Sequence, residues 1–428
     1  MPVADQEFLD ASIFVEGHEL LEARFKWHRY KASDGPHTSK NLSVKILHSF
    51  YRGDQPSGEN DTVLQQVALL SDHGFDVELI SLSSDDLEAH ASLKVLTGIG
   101  LATGVQQARP PLDWFADADI LHIHNTFPSM SHKALVDVDT PKVLTAHNYR
   151  AFCANGLFLR DGSRCTDCVD IGSLQGVRHG CYRQSRLQTL PIALQQRSTR
   201  SLVQLMSNCD RVLLPGEPMR GVFEQLGLQN TQVLHNPVSS TDAKSGFTPL
   251  TNEWLFVGRM SPEKGLVDLI RVWPKGDALA VVGDGPERQM AEEIAFEREL
   301  IVRFLGGRDS QGVKELMSQS LGLIFPSKAL EGAPLVYGEA MQAGLPVIAA
   351  EGSTLATQAD ADGTGVTFSF AEPETVVGAL ESIRNNRAAL SSRARDVYLN
   401  RYTTDAWITQ ATQIYEGVVA AHHPSRHS

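Results

Sequence analysis

The sequence predicts an α/β protein made of two doubly wound, Rossmann-like parallel-sheet domains that face each other across a cleft. The chain has 428 residues, whereas single domains seldom grow beyond roughly 250–300 residues. From Val44 onward, short apolar runs alternate with helical patterns, which is typical of a parallel sheet covered by helices on both faces. The segment Asn236–Asn252 interrupts this alternation with Asn-Pro, Ser-Gly and Thr-Pro pairs, so we predict that it is the linker.

The first domain is predicted over residues 43–240, after an extension over residues 1–42 that lies outside the alternating pattern. Apolar runs predict buried strands at Val44–His48, Val77–Leu82, Ile120–His124, Val143–Ala146, Val212–Leu214 and Val233–His235. Helices are predicted at Asp61–Asp72, Arg186–Ser207 and Glu217–Leu226. Ligands of such sheets bind beyond the carboxyl ends of the strands, so the residues that follow each strand are the candidates for function.

The second domain is predicted over residues 241–402, where the alternation restarts. Its strands are predicted at Trp254–Val257, Leu279–Val282, Ile301–Leu305, Gly322–Phe325 and Pro346–Ala349. Its helices are predicted at Gly265–Arg271, Glu287–Glu297, Val313–Gln319 and Pro334–Ala343. Residues 403–428 form a final segment that contains a predicted helix over Asp405–Val419.

The composition excludes some classes of function. A formal net charge of −13 argues against nucleic acid as a partner, because phosphate backbones require a basic field. No apolar run is long enough to span a bilayer. The first 40 residues contain several acidic side chains and lack the basic start and apolar core of a secretory signal, so we expect a cytoplasmic protein.

The turn after strand Trp254–Val257 carries the first candidate binding motif, which runs from Gly258 to Gly265. Glycines at both corners let the backbone approach a phosphate, and the helix N-terminus at Gly265 favours an anion. Arg259 can hold two phosphate oxygens and Lys264 adds a point charge, which together suit a diphosphate. A solvated turn with incidental charges is the alternative.

The segment after strand Gly322–Phe325 carries two glutamates, Glu331 in a loop and Glu339 in the following helix. Pro334 can begin this helix, because the missing N–H is not needed in the first turn. Both carboxylates can accept hydrogen bonds from hydroxyl groups, so they are suited to hold two parts of one ligand. A buried helix with two solvated glutamates is the alternative.

These motifs resemble, in the same order, those of the family 4 retaining glycosyltransferases of GT-B fold, the glycosyl transferases group 1. The resemblance covers about residues 44–420. It rests on Gly258-Arg259, Glu263-Lys264-Gly265, Gly283-Asp-Gly-Pro286, Phe304-Leu-Gly-Gly307 and the Glu331–Glu339 pair. The resemblance implies a nucleotide-sugar donor site in the second domain and a last helix that packs back on the first domain.

The resemblance also implies a role for each matching residue. Arg259 and Lys264 would hold the donor diphosphate, and Glu339 would bind the nucleotide ribose. Glu331 would hold sugar hydroxyls at the reacting centre. The backbone around the sugar and the lining of the base pocket would come from Gly332, Ala333, Pro334, Leu335, Leu305 and Gly306. Gly283 follows a strand at the edge of this site, and a tight turn without contact to the donor is the alternative for it.

The first domain contributes candidates from the ends of two strands. Ser57 and Gly58 lie where the family has a glycine-rich loop, although many members carry two glycines there. Gly58 would let backbone N–H groups approach the donor from the opposite domain. His147 follows strand Val143–Ala146, where the family has a histidine that contacts the sugar. For His122 and His124, which alternate on one strand, we expect a role as satisfied core histidines, and the alternative is that one of them lines the cleft.

The implied reaction is a retaining transfer of a sugar from a UDP- or GDP-sugar to a carbohydrate, lipid-linked or small-molecule acceptor, as in polysaccharide biosynthesis. The resemblance implies front-face attack, in which a donor phosphate oxygen takes the acceptor proton. No Asp-x-Asp motif lies near the donor site, so we expect transfer without a metal cofactor. A nucleotide-sugar epimerase of the same fold and a non-catalytic nucleotide-sugar-binding module are the alternatives.

A four-cysteine insert is predicted at residues 151–183, directly after His147. The ligand type and count of Cys153, Cys165, Cys168 and Cys181 suggest a structural zinc site. Free thiols, disulfides in an exported protein and an iron–sulfur cluster are the alternatives. The glycine-rich insert would bury little by itself, so a metal would order it.

Residues 178–207 form a basic, amphipathic stretch in an otherwise acidic protein. No Asp or Glu occurs between Ile171 and Cys209, whereas several arginines and leucines do. Such a stretch can contact an anionic lipid headgroup, so we predict a peripheral site at the inner membrane face. An ordinary packing helix with solvated arginines is the alternative.

Overall fold

The computed structural model describes residues 27–32, 42–50, 57–83, 98–102, 108–198, 201–239 and 251–422. Most of the predicted extension, and residues 240–250 of the predicted linker, lie outside the described residues. The described residues form two lobes, each built on its own sheet.

The sheet of the N-terminal lobe has seven strands in the order β1-β3-β2-β4-β5-β8-β9. The strands are β1 Trp27–Lys31, β2 Ser43–Phe50, β3 Asp76–Ser83, β4 Ile120–Ile123, β5 Lys142–Thr145, β8 Arg211–Leu214 and β9 Thr231–Val233. All of them pair in parallel except β1, which is antiparallel to β3. The order reverses around β2, so a cleft opens at its carboxyl end.

The helices of this lobe are Gly58–Asp72, His132–Val136, Asp167–Asp170, Leu174–His179, Arg186–Gln196, Leu202–Ser207 and Glu217–Gln225. A 3-10 turn lies at Leu112–Phe115, and a small hairpin of β6 Leu159–Arg160 and β7 Ser163–Arg164 belongs to the insert. Most of the strand residues are buried, as expected for a sheet that is covered on both faces.

The sheet of the C-terminal lobe is fully parallel, with six strands in the order β12-β11-β10-β13-β14-β15. The strands are β10 Glu253–Val257, β11 Ala278–Val282, β12 Val302–Phe304, β13 Leu323–Phe325, β14 Val347–Ala350 and β15 Gly365–Phe368. The helices are Leu266–Val272, Arg288–Glu297, Ser310–Gln319, Leu335–Gln342, Thr354–Asp362 and Glu374–Arg401, and Pro262–Lys264 is a 3-10 turn. The predicted α/β class with two doubly wound parallel sheets is confirmed.

Two local predictions are wrong. The single helix predicted over Arg186–Ser207 is two helices, because Ser201 caps a new helix by accepting from the backbone N–H of Gln204. The extension was placed outside the sheet pattern, yet β1 extends the N-terminal sheet and pairs with β3 from Trp27 to Lys31.

The last helix, Thr404–His422, returns to the N-terminal lobe. Its buried residues Trp407 and Tyr415 pack with Val44 and Ile46 of strand β2. The Tyr415 hydroxyl lies 2.7 Å from Nδ1 of His122. The preceding helix, Glu374–Arg401, packs on the C-terminal sheet. Within the described residues, no helix combines the length and the apolar character that a membrane span requires.

Candidate active site

Glycines after three neighbouring strands form the floor of the candidate donor site. The backbone N–H of Gly258 donates to Val282 at 3.0 Å, and that of Gly283 donates to Gly306 at 2.9 Å. Gly283 has a φ of 127°, and a Cβ there would overlap the carbonyl oxygen of Gly258. Only glycine fits this close approach of strand ends, so Gly283 has a structural role whether or not it meets a donor.

Lys264 and Glu331 meet in this site. The Lys264 ammonium donates to Glu331 Oε2 at 2.7 Å, and the Ser327 hydroxyl donates to Glu331 Oε1 at 2.6 Å. Both partners of the ion pair are largely shielded, with side-chain exposures of 26% for Lys264 and 14% for Glu331. The pair joins the two motifs that the sequence placed 67 residues apart. Sequence analysis did not identify Ser327 as a partner.

Arg259 belongs to the same motif as Lys264, and Glu339 to the same segment as Glu331. Neither side chain joins the Lys264–Glu331 ion pair. Arg259 is exposed in the turn after Gly258. Glu339 lies on helix Leu335–Gln342, where burial raises the pKa of its carboxyl group and Lys314 partly opposes the rise. Leu305, at the end of β12, packs on the same core as Val336 and Tyr337 of that helix.

The two lobes touch at the loop that follows Glu331. A Cβ on Gly332 would overlap the carbonyl oxygen of His147, and a Cβ on Gly58 would lie 3.0 Å from Leu335 Cδ1. The backbone N–H of Leu330 also donates to the carbonyl of Leu157 in the insert, at 3.1 Å. The segment 332–335, which includes Ala333 and Pro334, therefore lies against both N-terminal candidates.

Ser57 caps helix Gly58–Asp72. Its hydroxyl accepts from the backbone N–H of Asn60 at 3.4 Å. Ser57 lies where many members of the family have a glycine. Here it stabilises the helix start, because it satisfies one of the free N–H groups there.

Histidines gather at the carboxyl ends of the central N-terminal strands. His124 Nδ1 lies 3.0 Å from His147 Nε2, and the two rings are stacked at 5.3 Å between centroids. His122 lies 2.8 Å from the Thr145 hydroxyl, in addition to its contact with the tail helix. His122 is a satisfied core histidine as predicted, but His124 is not. It lies beyond the end of β4, where it pairs with His147 and lines a cavity.

Burial keeps these imidazoles neutral near pH 7. It lowers the pKa of His48 and of His147 to about 4, and the pKa of His122 to about 3. A neutral His147 can hydrogen-bond a sugar hydroxyl as donor or acceptor, depending on its tautomer.

We expect acid to destabilise the N-terminal lobe. The unfolded chain protonates these histidines near pH 6.5 and the folded chain only near pH 3–4, so the unfolded state binds more protons in that window. The free energy of unfolding should fall by about 1.4 kcal/mol per pH unit for each such histidine. Denaturant titrations at pH 7, 6 and 5 measure how the free energy of unfolding changes with pH. The variant His147→Asn should show a shallower slope, and equal free energies of unfolding at pH 6 and pH 5 would contradict the assignment.

The zinc site predicted at the four cysteines of the insert stays a prediction. Burial and the neighbouring Cys168, Cys153 and Cys165 raise the pKa of the Cys181 thiol to about 11, so the four side chains lie near one another. Among the described residues, no three His, Cys, Asp or Glu side chains have an arrangement that could hold a metal ion. Cys153, Cys165, Cys168 and Cys181 are free thiols, and Cys153 donates to Asn155 Oδ1 at 3.0 Å. Ala154 and Phe158 of the insert are buried.

The first similarity to known proteins lies in the C-terminal lobe. Residues 239–397 match the family described as glycosyl transferases group 1. Glycogen synthase of Mycobacterium tuberculosis is 28% identical over 183 residues, which are 41% of this chain and 44% of that protein. Phosphatidyl-myo-inositol mannosyltransferase of Mycobacterium leprae is 25% identical over 325 residues, 70% of this chain and 76% of that protein. The match with glycogen synthase thus spans less than half of that relative.

Solved structures resemble nearly the whole chain. Sucrose-phosphate synthase from Thermosynechococcus elongatus superposes with a TM-score of 0.60 at 17% identity, covering 89% of this chain and all of that one. Anabaena Alr3699/HepE in complex with UDP superposes with a TM-score of 0.57 at 17% identity, covering 88% of this chain and all of that one. The fold is therefore GT-B. Within it, the segment that matches the glycosyl transferases group 1 family, residues 239–397, makes up most of the C-terminal lobe.

Proposed function

We propose that the protein is a retaining family 4 glycosyltransferase, which moves a sugar from a nucleotide-diphosphate sugar to a hydroxyl group of an acceptor. One observation carries the proposal. The Lys264–Glu331 ion pair lies next in sequence to the contact between Gly332 and the backbone carbonyl of His147, so a positive charge and a carboxylate of one lobe lie beside the segment of the other lobe that carries the imidazole. The family match of residues 239–397 supports the class of reaction.

In this proposal the C-terminal lobe binds the donor. Arg259 and Lys264 hold the diphosphate, which would replace Glu331 as the partner of Lys264. Glu331 then accepts hydrogen bonds from sugar hydroxyls, and Glu339 accepts from the ribose. Structural neighbours include Anabaena Alr3699/HepE in complex with UDP-glucose, which supports a uridine donor ahead of a guanosine one.

Transfer proceeds on one face of the donor sugar. The bond from the anomeric carbon to the diphosphate breaks, and the acceptor oxygen bonds to that carbon from the same side. The acceptor proton passes to an oxygen of the leaving diphosphate. Arg259 and Lys264 stabilise the charge that grows on the leaving group, so we propose that no metal ion is required. Neutral His147 orients the sugar.

Thermal unfolding with a panel of UDP-, GDP-, ADP- and TDP-sugars tests donor binding. We expect a UDP-sugar to stabilise the protein most. A ligand that binds the folded state adds about 2.7 kcal/mol to the free energy of unfolding when its concentration is 100 times Kd. The variant Lys264→Ala should lose that stabilisation. Stabilisation by none of the sugars would contradict the function, and interconversion of the donor without an acceptor would favour an epimerase.

We also propose that the stretch 178–207 contacts an anionic membrane surface. Helix Arg186–Gln196 leaves Leu187 exposed at 83%, with Leu190 and Leu194 along the same side. Ile171 and Leu174 of the insert are exposed as well. Exposed basic side chains flank them, namely Arg178, Arg183, Arg186 and Arg197. Apolar side chains among arginines suit a bilayer interface with anionic headgroups, which favours a peripheral site at the inner membrane face.

Vesicle sedimentation measures this contact. We expect binding to vesicles of phosphatidylglycerol and weak binding to vesicles of phosphatidylcholine, since the arginines attract anionic lipid. The double variant Leu187→Gln, Leu194→Gln should reduce binding at least fivefold. The variant Phe296→Gln removes a similarly exposed apolar side chain, 85% exposed, from the C-terminal lobe and should bind like the unchanged protein. Equal binding of all three proteins would refute the proposal.

A further inference from the structure

The loop that carries Glu331 is anchored in the other lobe. Leu330, the residue before Glu331, is buried and packs in the N-terminal core together with Tyr149 and Phe158. Its backbone N–H donates to the carbonyl of Leu157 in the insert at 3.1 Å. The side chain and the backbone of this one residue therefore both tie the loop to the N-terminal lobe.

A second contact holds the loop on the other side of Glu331. Gly332 lies so close to the carbonyl oxygen of His147 that a Cβ would overlap it. The carboxylate of Glu331 is held within its own lobe, by Lys264 and Ser327. The backbone position of Glu331 is therefore set from the N-terminal lobe, whereas the direction of its side chain is set from the C-terminal lobe.

Asn155 holds the segment of the insert that supplies the first of these contacts. Its Oδ1 accepts from the backbone N–H of Leu157 at 2.9 Å and from the Cys153 thiol at 3.0 Å. Its Nδ2 donates to the carbonyl of Leu159 at 2.7 Å. One amide side chain thus bonds the backbone before and after the Leu157 carbonyl, as asparagines do in tight turns.

The backbone is strained directly after Leu157. Phe158 has a φ of 49°, in the left-handed region that residues with a Cβ rarely adopt. Its side chain is buried, and its ring lies 5.2 Å from that of Tyr149. Such strain persists only where surrounding contacts impose it, and it concentrates at functional sites. Here the bonds of Asn155 and the packing of Phe158 impose it, and they orient the peptide that carries the Leu157 carbonyl.

We propose that Asn155 is a positioning residue for Glu331. Through Leu157 and Leu330 it fixes the place of the Glu331 carboxylate against the donor sugar, although it belongs to the opposite lobe and does not touch the donor. The inference rests on the proposed transferase function and adds that the insert controls recognition of the sugar.

Calorimetric titration with UDP-glucose and with UDP tests this role and needs no acceptor. In the proposed function Glu331 contacts the sugar, whereas UDP contacts basic side chains of the C-terminal lobe. Asn155→Ala should raise Kd for UDP-glucose at least about fivefold, the effect of one lost hydrogen bond, and leave Kd for UDP within about twofold. Thr166→Ala removes a hydrogen bond to Asp170 elsewhere in the insert and should bind both ligands like the unchanged protein.

A double-mutant cycle separates positioning of Glu331 from a general role in folding. In the background Glu331→Ala, Asn155→Ala should change Kd for UDP-glucose by less than about twofold, because the effects of residues that act through one another do not add. Leu330→Ala weakens the same contact from the C-terminal lobe and should reproduce the effects of Asn155→Ala. It replaces that variant if Asn155→Ala melts below the assay temperature.

Three outcomes would overturn the inference. They are an unchanged Kd for UDP-glucose in both Asn155→Ala and Leu330→Ala, an equal rise in Kd for UDP and UDP-glucose, and additive effects of Asn155→Ala and Glu331→Ala. The unchanged protein separates these failures from a failure of the function itself. If it binds UDP-glucose, the transferase proposal stands and only the role of Asn155 falls. If it binds neither UDP nor UDP-glucose, the proposed uridine donor falls and the inference falls with it.

Discussion

Lys264→Met should lose sugar transfer by a factor of about 10²–10³ in kcat, the usual effect of removing one preorganised group that stabilises a charged leaving group. The substitution keeps most of the unbranched side chain and deletes the ammonium that pairs with Glu331 at 2.7 Å. The lobe should remain folded, since a core around Trp254 and Trp273 holds this part of the sheet. Transfer rates and the melting temperature of the purified variant measure both effects.

A neighbouring ion pair supplies the control. Lys328 pairs with Asp268 on the same face of the C-terminal lobe, and its side chain is 21% exposed against 26% for Lys264. Lys328→Met therefore removes a similar charge in a similar setting, without touching Glu331. It should keep transfer within about twofold. Equal losses in the two variants would mean that general electrostatics, and no specific contact of Lys264, sustain activity.

Gly332→Ala should reduce transfer at least about 100-fold, because a misplacement of 1 Å at a reacting centre can cost that much. The added Cβ would overlap the carbonyl oxygen of His147, so the two lobes would have to separate where donor and acceptor groups meet. Thermal stability should change little, since each lobe has its own core. Transfer kinetics and thermal unfolding of the variant give the two values.

Gly378→Ala is the matched control for this glycine. Gly378 lies inside helix Glu374–Arg401, and a Cβ there would meet no atom within 4 Å. The alanine should leave transfer unchanged and raise the free energy of unfolding by about 0.5–1 kcal/mol, through its higher helix propensity. Full activity in Gly332→Ala would show that contact between the lobes at His147 is not needed for transfer.

The sequence predicted the sheet pattern well, because buried parallel strands are short apolar runs between helices. The glycine turns after β10, β11 and β12 were also predictable, since close backbone approach is a local requirement. The break at Ser201 was not, because the apolar pattern continues across it and a serine cap is a weak signal. Strand β1 was missed for a related reason, since Trp27–Lys31 is a short strand whose central residues are polar.

The site was predictable where one segment carries it, and not where several segments meet. His124 alternates with His122 in sequence, but β4 ends at Ile123, so His124 lies beyond the end of the strand. Leu157 and Leu330 come from distant segments, and only the folded chain brings them together. The spacing of the cysteines suggested a metal site, which stays a prediction. In the folded insert, burial and then the neighbouring Cys168, Cys153 and Cys165 raise the pKa of Cys181.

The central claim is that one sugar diphosphate binds between the lobes, against Arg259, Lys264 and Glu331. A crystal structure with the preferred nucleotide sugar tests it directly. The account predicts diphosphate oxygens within hydrogen-bond distance of Arg259 and Lys264, and sugar hydroxyls on Glu331 beside His147. A diphosphate bound in another cavity, or in contact with neither basic side chain, would contradict it.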